Sequence, residues 1–144
     1  FKINAVVPEH LPGEIHMDDV PVLNQTIGEL MSSPPHSINF EKTLDVVVEK
    51  LNSFNIGSLL VKKDGDYVGI VTKSDLIRKA ISQKLPRDST KVSVVMTAFI
   101  LTLGSDTPAK EAYNFMKNKY IRHLVVTQDN SIAGVVSFKN LLEK

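Results

Sequence analysis

The chain has 144 residues, 42% of them hydrophobic, which is enough for one domain or for two small interdependent halves. Its 17 basic and 16 acidic residues nearly cancel, so charge gives no general attraction to nucleic acid or to membrane surfaces. The absence of cysteine excludes disulfides and thiolate metal sites, and no apolar run approaches the roughly 20 residues that span a bilayer. We expect a cytoplasmic module, cut from a larger protein because the chain opens on Phe1.

Residues 1–25 differ in pattern from the rest of the chain. Three prolines and a glycine interrupt any helical or strand period there, at Pro8, Pro12, Gly13 and Pro21. We therefore interpret this segment as a lead-in arm that precedes the folded body.

From Thr26 onward the hydrophobic pattern becomes regular. Apolar residues at helical spacing predict an amphipathic helix from about Thr43 to Phe54, and Asp64-Gly65 is typical of a tight hairpin between two strands. A helix is expected after the return strand, with Leu76, Ile77, Ala80 and Ile81 on one face. The other predicted pieces are a helical turn at 26–31, an extended piece at 37–40, strands at 58–61 and 67–71, and a linker that begins at residue 85.

The same order of elements returns after the linker. A shift of 65 positions carries Met31 onto Met96 without a gap, and the apolar classes then agree across both helices and both strands. This agreement indicates an internal duplication, with repeats at 26–84 and 92–144 and a linker at 85–91. Because sheets of two or three strands rarely stand alone in water, we expect the two sheets to pack against each other and to leave clefts at their shared edge.

The stretch from Gly69 to Asp75 joins a strand to a helix and concentrates small polar groups. Thr72 and Asp75 are three residues apart, so both lie near the first helical turn, where backbone N–H groups and the helix dipole favour anions and hydroxyl-rich ligands. The same spacing is that of a capping box, which starts a helix without any ligand. Both interpretations stay open here, and they are compatible because capping uses backbone donors.

Three pairs of motifs recur in the same order and at the same spacing in the two halves. They are the repeat starts Ile27-Gly28-Glu29-Leu30-Met31 and Val92-Ser93-Val94-Val95-Met96-Thr97, the strand starts at 56–61 and 121–126, and the corners at 69–75 and 134–140. On these motifs the chain resembles a pair of CBS domains, also called a Bateman module. The resemblance implies an α+β fold of two β-α-β-β-α units related by a pseudo-twofold axis. It also implies a non-catalytic regulatory role, binding of an adenine nucleotide (AMP, ADP or ATP), and a homodimer coupled to a partner or attached effector domain.

The resemblance further implies a site built on the corner of the first repeat. There the Asp takes the ribose hydroxyls, the preceding Thr assists, and the base lies beside the apolar residue after the glycine. Carried over residue by residue, the site comprises Ile70, Thr72, Lys73, Ser74, Asp75, Thr97, Thr102 through its backbone, Ile121, Arg122 and His123. Arg122 and His123 are the implied phosphate partners, with Lys73 as a weaker one, and a planar guanidinium suits phosphate.

The second corner departs from the family pattern. Asn140 stands where an Asp is expected, and Gly57-Ser58 stand where Arg122-His123 stand in the other half. A neutral hydrogen bond contributes about 1 kcal/mol, against about 1.5–3 kcal/mol for a charged one, which is about tenfold or more in affinity. We therefore expect one competent site, and a second that is weak, vacant or differently specialised.

Several alternatives stay open at the level of sequence. Arg122 also fits a solvated surface charge, and His123 fits a packed or hydrogen-bonded histidine. The remaining histidines, His10, His16 and His36, lack metal-ligand spacing, and no constellation of base, nucleophile or metal ligands indicates catalysis. The competing functions are a structural dimerisation module without a physiological ligand and a binder of S-adenosylmethionine.

Overall fold

The structure is a computed structural model, and it describes residues 24–142. Nearly all of the predicted arm at 1–25 therefore lies outside the described residues. The described part is a mixed α+β fold with two three-stranded sheets. Its elements are α1 (Ile27–Leu30), β1 (Ser37–Asn39), α2 (Leu44–Ser53), β2 (Ser58–Lys63), β3 (Asp66–Thr72), α3 (Lys73–Asp75), a π-helix (Leu76–Ile81), α4 (Val92–Val95), β4 (Thr102–Gly104), α5 (Ala109–Lys119), β5 (His123–Gln128), β6 (Ser131–Ser137) and a 3₁₀ helix (Phe138–Leu141).

The two sheets have the same topology and the same register. In each sheet a short strand runs parallel to the first strand of an antiparallel hairpin, giving the orders β1-β2-β3 and β4-β5-β6. Each hairpin has an irregularity at the equivalent place, between Val61 and Lys62 and between Val126 and Thr127. The predicted duplication with its shift of 65 positions is thereby confirmed.

Each sheet is covered by one amphipathic helix whose apolar stripe was predicted. In α2 the residues Leu44, Val47 and Leu51 are buried, and they pack in one core with Leu59, Val61 and Val71 of the sheet. In α5 the buried residues are Ala109, Ala112, Tyr113 and Met116, which pack in a second core. Helical periodicity therefore places most of both buried faces, but Val48, which the spacing assigns to the stripe of α2, is only half-buried, and Val46 packs against the core instead.

The compact units in space do not follow the order of the repeats along the chain. One unit is 36–100, and the other combines 24–35 with 101–142. The cause is the position of two leading segments, which we define as residues 26–32 and 91–97. In the second leading segment Thr97 exchanges two backbone hydrogen bonds with Ile70 of β3, at 2.7 and 2.9 Å. In the first, Ser32 makes the equivalent pair with Val135 of β6, at 2.9 and 3.1 Å.

The helix after the first corner corrects one prediction. Ala80 is buried and Leu76 is half-buried, but Ile77 is 60% exposed and Ile81 is 70% exposed. Residues 76–81 form a π-helix, with bonds such as Ser82 N–H to the Ile77 carbonyl at 3.3 Å. Leu76 and Ala80 pack in the core of this unit, whereas Ile77 and Ile81 lie outside that core, so the predicted apolar face is only partly covered within the described residues.

Candidate functional site

The corner of the first repeat is built on a capping box. Strand β3 ends at Thr72, whose backbone N–H donates to Oδ2 of Asp75 at 2.9 Å. In return the Asp75 N–H donates to the Thr72 hydroxyl oxygen at 3.2 Å, and this hydroxyl also lies 3.2 Å from Asp75 Oδ2. The capping interpretation of Thr72 and Asp75 is thus confirmed, and it occupies one carboxylate oxygen.

The second carboxylate oxygen of Asp75 has a different set of partners. The residue is only 2% exposed, and its Oδ1 lies 3.1 Å from the Lys79 ammonium and 3.3 Å from the Thr97 hydroxyl that donates to it. The Arg78 guanidinium lies further away, at 4.0 Å. A carboxylate held this far from water needs compensating charge, which the two cations provide.

Lys79 and Arg78 are parts of this corner that the sequence reasoning missed. Their signal was available, because a residue three or four positions after Asp75 on a helix lies on the same face and reaches its carboxylate. The site residues predicted at this corner were taken from the motif at 69–75, which ends at Asp75 and so leaves out Arg78 and Lys79.

The structure brings together the predicted residues that belong to the unit 36–100. Ile70 and Thr97 are each 8% exposed and lie side by side through their backbone pair. Thr72 is half-buried at the end of β3, Ser74 is half-buried within α3, and Lys73 is exposed. Thr72 and Thr97 therefore contact the buried carboxylate of Asp75, and Ile70 is paired with Thr97.

The remaining predicted residues belong to the other unit, where Arg122 and His123 lie beside the second corner. Thr102 begins β4, and Ile121 is 8% exposed. Arg122 and His123 are half-buried; the Arg122 carbonyl accepts the Phe138 N–H at 2.7 Å, and His123 pairs in register with Ser137. The predicted site residues thus fall into two groups, one in each unit.

The second corner keeps the capping box but changes its side chains. Ser137 N–H donates to Oδ1 of Asn140 at 2.9 Å, and Asn140 N–H donates to the Ser137 hydroxyl at 3.2 Å. Asn140 is exposed, whereas Phe138 is buried and stacks on Tyr113 with ring centroids 5.0 Å apart. This corner offers a neutral cap and an apolar anchor, and its cap lacks a carboxylate.

Within residues 24–142, no group of three or more His, Asp or Glu side chains is arranged to hold a metal ion. In the same part of the chain, no helix has the length and apolar character needed to cross a membrane.

The two repeats match one protein family. The model of the CBS domain matches residues 27–82 and again 92–144, and the chain belongs to the CBS-domain family. It is a tandem of two such domains, a class that is generally regulatory and ligand-binding.

The chain is similar to a curated relative and to solved structures. The CBS domain-containing protein CBSX3, mitochondrial, of Arabidopsis thaliana is 30% identical over 129 residues, which cover 81% of this chain and 63% of that protein. The chain therefore spans less than two thirds of this relative. Among solved structures, an uncharacterised conserved protein from Pyrococcus horikoshii has a TM-score of 0.77 at 28% identity, covering 83% of this chain and 90% of that one. The CBS domain structure NE2398 has a TM-score of 0.75 at 27% identity, covering 81% and 93%.

Proposed function

We propose that this chain is a non-catalytic regulatory module that binds an adenine nucleotide (AMP, ADP or ATP) through the corner of its first repeat. The observation that carries this proposal is the buried carboxylate of Asp75, which contacts Thr72 and Thr97, with Ile70 paired to Thr97. A charged acceptor beside hydroxyl groups and an apolar side chain suits a ribose joined to a planar base.

The two carboxylate oxygens of Asp75 have different roles in this proposal, Oδ2 in capping the helix and Oδ1 in binding the ribose. Oδ2 is held by the cap, and its loss would disturb the start of α3. Oδ1 accepts the Thr97 hydroxyl at 3.3 Å, a long bond from a neutral donor. We propose that a ribose hydroxyl takes the place of this donor while the cap stays intact, and that the Thr97 side chain rotates to admit it.

The phosphate groups of the nucleotide are assigned to Arg122 and His123, with Lys73 as a weaker partner. An arginine fork and a histidine supply donors suited to phosphate oxygens. Under this assignment, Arg122→Ala weakens ATP more than adenosine, because adenosine carries no phosphate. Equal weakening of both compounds would remove Arg122 from the phosphate assignment.

The decisive experiment is titration calorimetry of the chain with AMP, ADP, ATP and S-adenosylmethionine. Asp75→Ala should remove most of the binding, and the matched variant Asn140→Ala at the second corner should change it little. Ligand at about 100 times its Kd should also raise the free energy of unfolding by about 2.7 kcal/mol. Absence of binding by all four compounds would refute the sensor function, and the reverse order of the two variants would refute the choice of corner.

A second variant keeps this test independent of folding. Thr97→Val leaves the Asp75 cap in place and removes only a neutral donor to Oδ1. If a ribose hydroxyl replaces Thr97 at this oxygen, binding should persist in Thr97→Val and be lost in Asp75→Ala. A circular dichroism spectrum of each variant establishes that the chain is folded before titration.

The output of the module is proposed to be a helical surface that pairs with a second copy. Ile77 and Ile81 of the π-helix and Val94 of the neighbouring α4 are 60%, 70% and 63% exposed. Apolar residues exposed together favour an interface over solvent. Ile77→Glu combined with Ile81→Glu should convert a dimer to a monomer in analytical ultracentrifugation, and an unchanged mass would exclude this surface.

One observation favours the alternative of a structural dimerisation module without a ligand. Both oxygens of the Asp75 carboxylate already have partners in Thr72, Thr97 and Lys79, and the residue is 2% exposed. A dimer that forms equally with and without nucleotide, together with a flat calorimetric titration, would establish this function instead. We also propose a cytoplasmic location for this module, which cell fractionation of the full-length protein tests.

A further inference from the structure

We infer that Lys79 is a positioning residue that ties the carboxylate of Asp75 to the second leading segment. Its ammonium group lies 3.1 Å from Asp75 Oδ1 and donates to the Val95 carbonyl at 3.0 Å. Val95 is the last residue of α4, and a carbonyl at a helix end has no partner within the helix. One cation therefore serves a buried carboxylate and a helix end together.

The contacts of Lys79 close a ring. From Val95 the chain continues through Met96 to Thr97, whose hydroxyl returns to the same Asp75 oxygen. Thr97 is also paired with Ile70 through two backbone hydrogen bonds. The corner and the second leading segment are thus joined at both ends of a three-residue stretch, Val95 through Lys79 and Thr97 directly.

The two ties differ in strength. The Thr97 bond joins a neutral hydroxyl to the carboxylate at 3.3 Å, whereas the Lys79 contact is shorter and joins opposite charges. The Lys79 side chain is 27% exposed, so solvent weakens this pair, but the second bond to Val95 holds the ammonium in place. A group that competes for Oδ1 therefore displaces Thr97 first and leaves Lys79 bound.

This inference rests on the proposed function where it concerns the ligand. If a ribose hydroxyl replaces Thr97, Lys79 becomes the group that holds the Asp75 carboxylate in its observed orientation. It also keeps α4 attached while Thr97 is released. Ligand occupancy would then loosen one tie to the second leading segment and retain the other, which is a local change beside the exposed Val94.

Hydrogen exchange without any ligand tests the tie itself. Lys79→Met should raise exchange about tenfold at the amides of Ile70 and Thr97, which report the pair between β3 and the second leading segment. Lys79→Arg should restore most of the protection, because a guanidinium can donate to both acceptors. Lys91→Met is the matched control, since it removes an exposed charge at the other end of α4.

The outcomes separate this inference from the proposed function. Unchanged exchange in Lys79→Met, or faster exchange that extends equally to α5, would overturn the local tie whether or not a nucleotide binds. In the ligand arm, ATP should bind about tenfold more weakly to Lys79→Met and nearly normally to Lys79→Arg. Tighter binding by Lys79→Met would show that Lys79 blocks the acceptor, which contradicts a positioning role. If the wild-type chain binds no nucleotide, only the proposed function fails, and the exchange result decides the inference.

Discussion

The two strand-to-helix corners share one backbone and use it in opposite ways. Both have a capping box with nearly equal distances, so both start a helix in the same manner. In the first corner Lys73 is exposed and Asp75 is buried, whereas in the second Phe138 is buried and Asn140 is exposed. The duplicated scaffold thus turns a charged group inward in one copy and an aromatic ring inward in the other.

This difference separates what the fold needs from what a ligand would need. A buried ion pair is a weak source of stability, because desolvation of both charges offsets their attraction. The second corner shows that an apolar residue and a neutral cap are sufficient to build the structure. A carboxylate retained inside the first corner is therefore better explained by recognition than by folding, which is the hypothesis that the calorimetric titration tests.

The largest expected effect concerns the aromatic anchor of the second corner. Phe138→Ala should lower the free energy of unfolding by about 3–5 kcal/mol, because it removes a buried ring that packs on Tyr113. Lys73→Ala at the equivalent position should change it by less than about 0.5 kcal/mol, since Lys73 is exposed. Denaturant unfolding of both variants measures the contrast. Equal effects would contradict the structure, in which Phe138 is buried and Lys73 is exposed.

The glycines of the two corner strands should show the next largest effect. A Cβ atom on Gly134 would lie 2.5 Å from the Ser32 carbonyl oxygen, and one on Gly69 would lie 2.8 Å from the Thr97 carbonyl oxygen. Both carbonyls belong to the leading segments, so alanine forces those segments away from the strands. We expect Gly134→Ala and Gly69→Ala each to cost about 1–3 kcal/mol, with Gly134→Ala the more damaging. Denaturant unfolding measures both, and a neutral Gly134→Ala would contradict the close approach.

A smaller effect is expected when the capping residues of the two corners are exchanged. Asp75→Asn keeps the cap but leaves Lys79 without its carboxylate, which should cost about 1–2 kcal/mol in the absence of ligand. Asn140→Asp should stay within about 0.5 kcal/mol because the residue is exposed. Chemical denaturation without nucleotide gives both values. A stabilising Asp75→Asn would mean that desolvation exceeds the attraction to Lys79.

Much of the fold was predictable because it depends on local apolar patterns. The stripes of α2 and α5, the hairpin at Asp64-Gly65 and the duplication all follow from spacing along the chain. The attachment of the leading segments was not predictable in this way. Met31 lies against Gly134 and Met96 against Gly69. The residues around each methionine do not indicate which of the two corner strands it will contact, because that choice depends on the tertiary fold.

In the candidate site, too, contacts between neighbours in sequence were predictable and contacts between distant residues were not. The capping box of Thr72 and Asp75 was readable from its spacing. The contact between Thr97 and Asp75 joins residues 22 apart, and it was inferred only through the family resemblance. The exposure of Ile77 and Ile81 was missed, because an apolar pattern does not indicate which part of an apolar face a neighbouring element covers.

The smallest expected effect compares the starts of the two long helices at low pH. Asp45, in the first turn of α2, accepts a hydrogen bond from the Thr43 hydroxyl, which holds the pKa of Asp45 below its ordinary value of 3.8; the Val46 N–H and Arg87 act in the same direction. Because the folded-state pKa is lowered, the ionised carboxyl stabilises the fold above about pH 3.8, and this contribution is lost as the pH falls through the lower folded-state value.

Asp45→Asn should therefore weaken the dependence of the free energy of unfolding on pH below 3.8. The equivalent position of α5 holds Lys110, which has no carboxyl group, so the control Lys110→Asn should leave that dependence unchanged. Urea unfolding at a series of acidic pH values measures both variants, and an unaltered slope in Asp45→Asn would show that another carboxyl group controls acid unfolding.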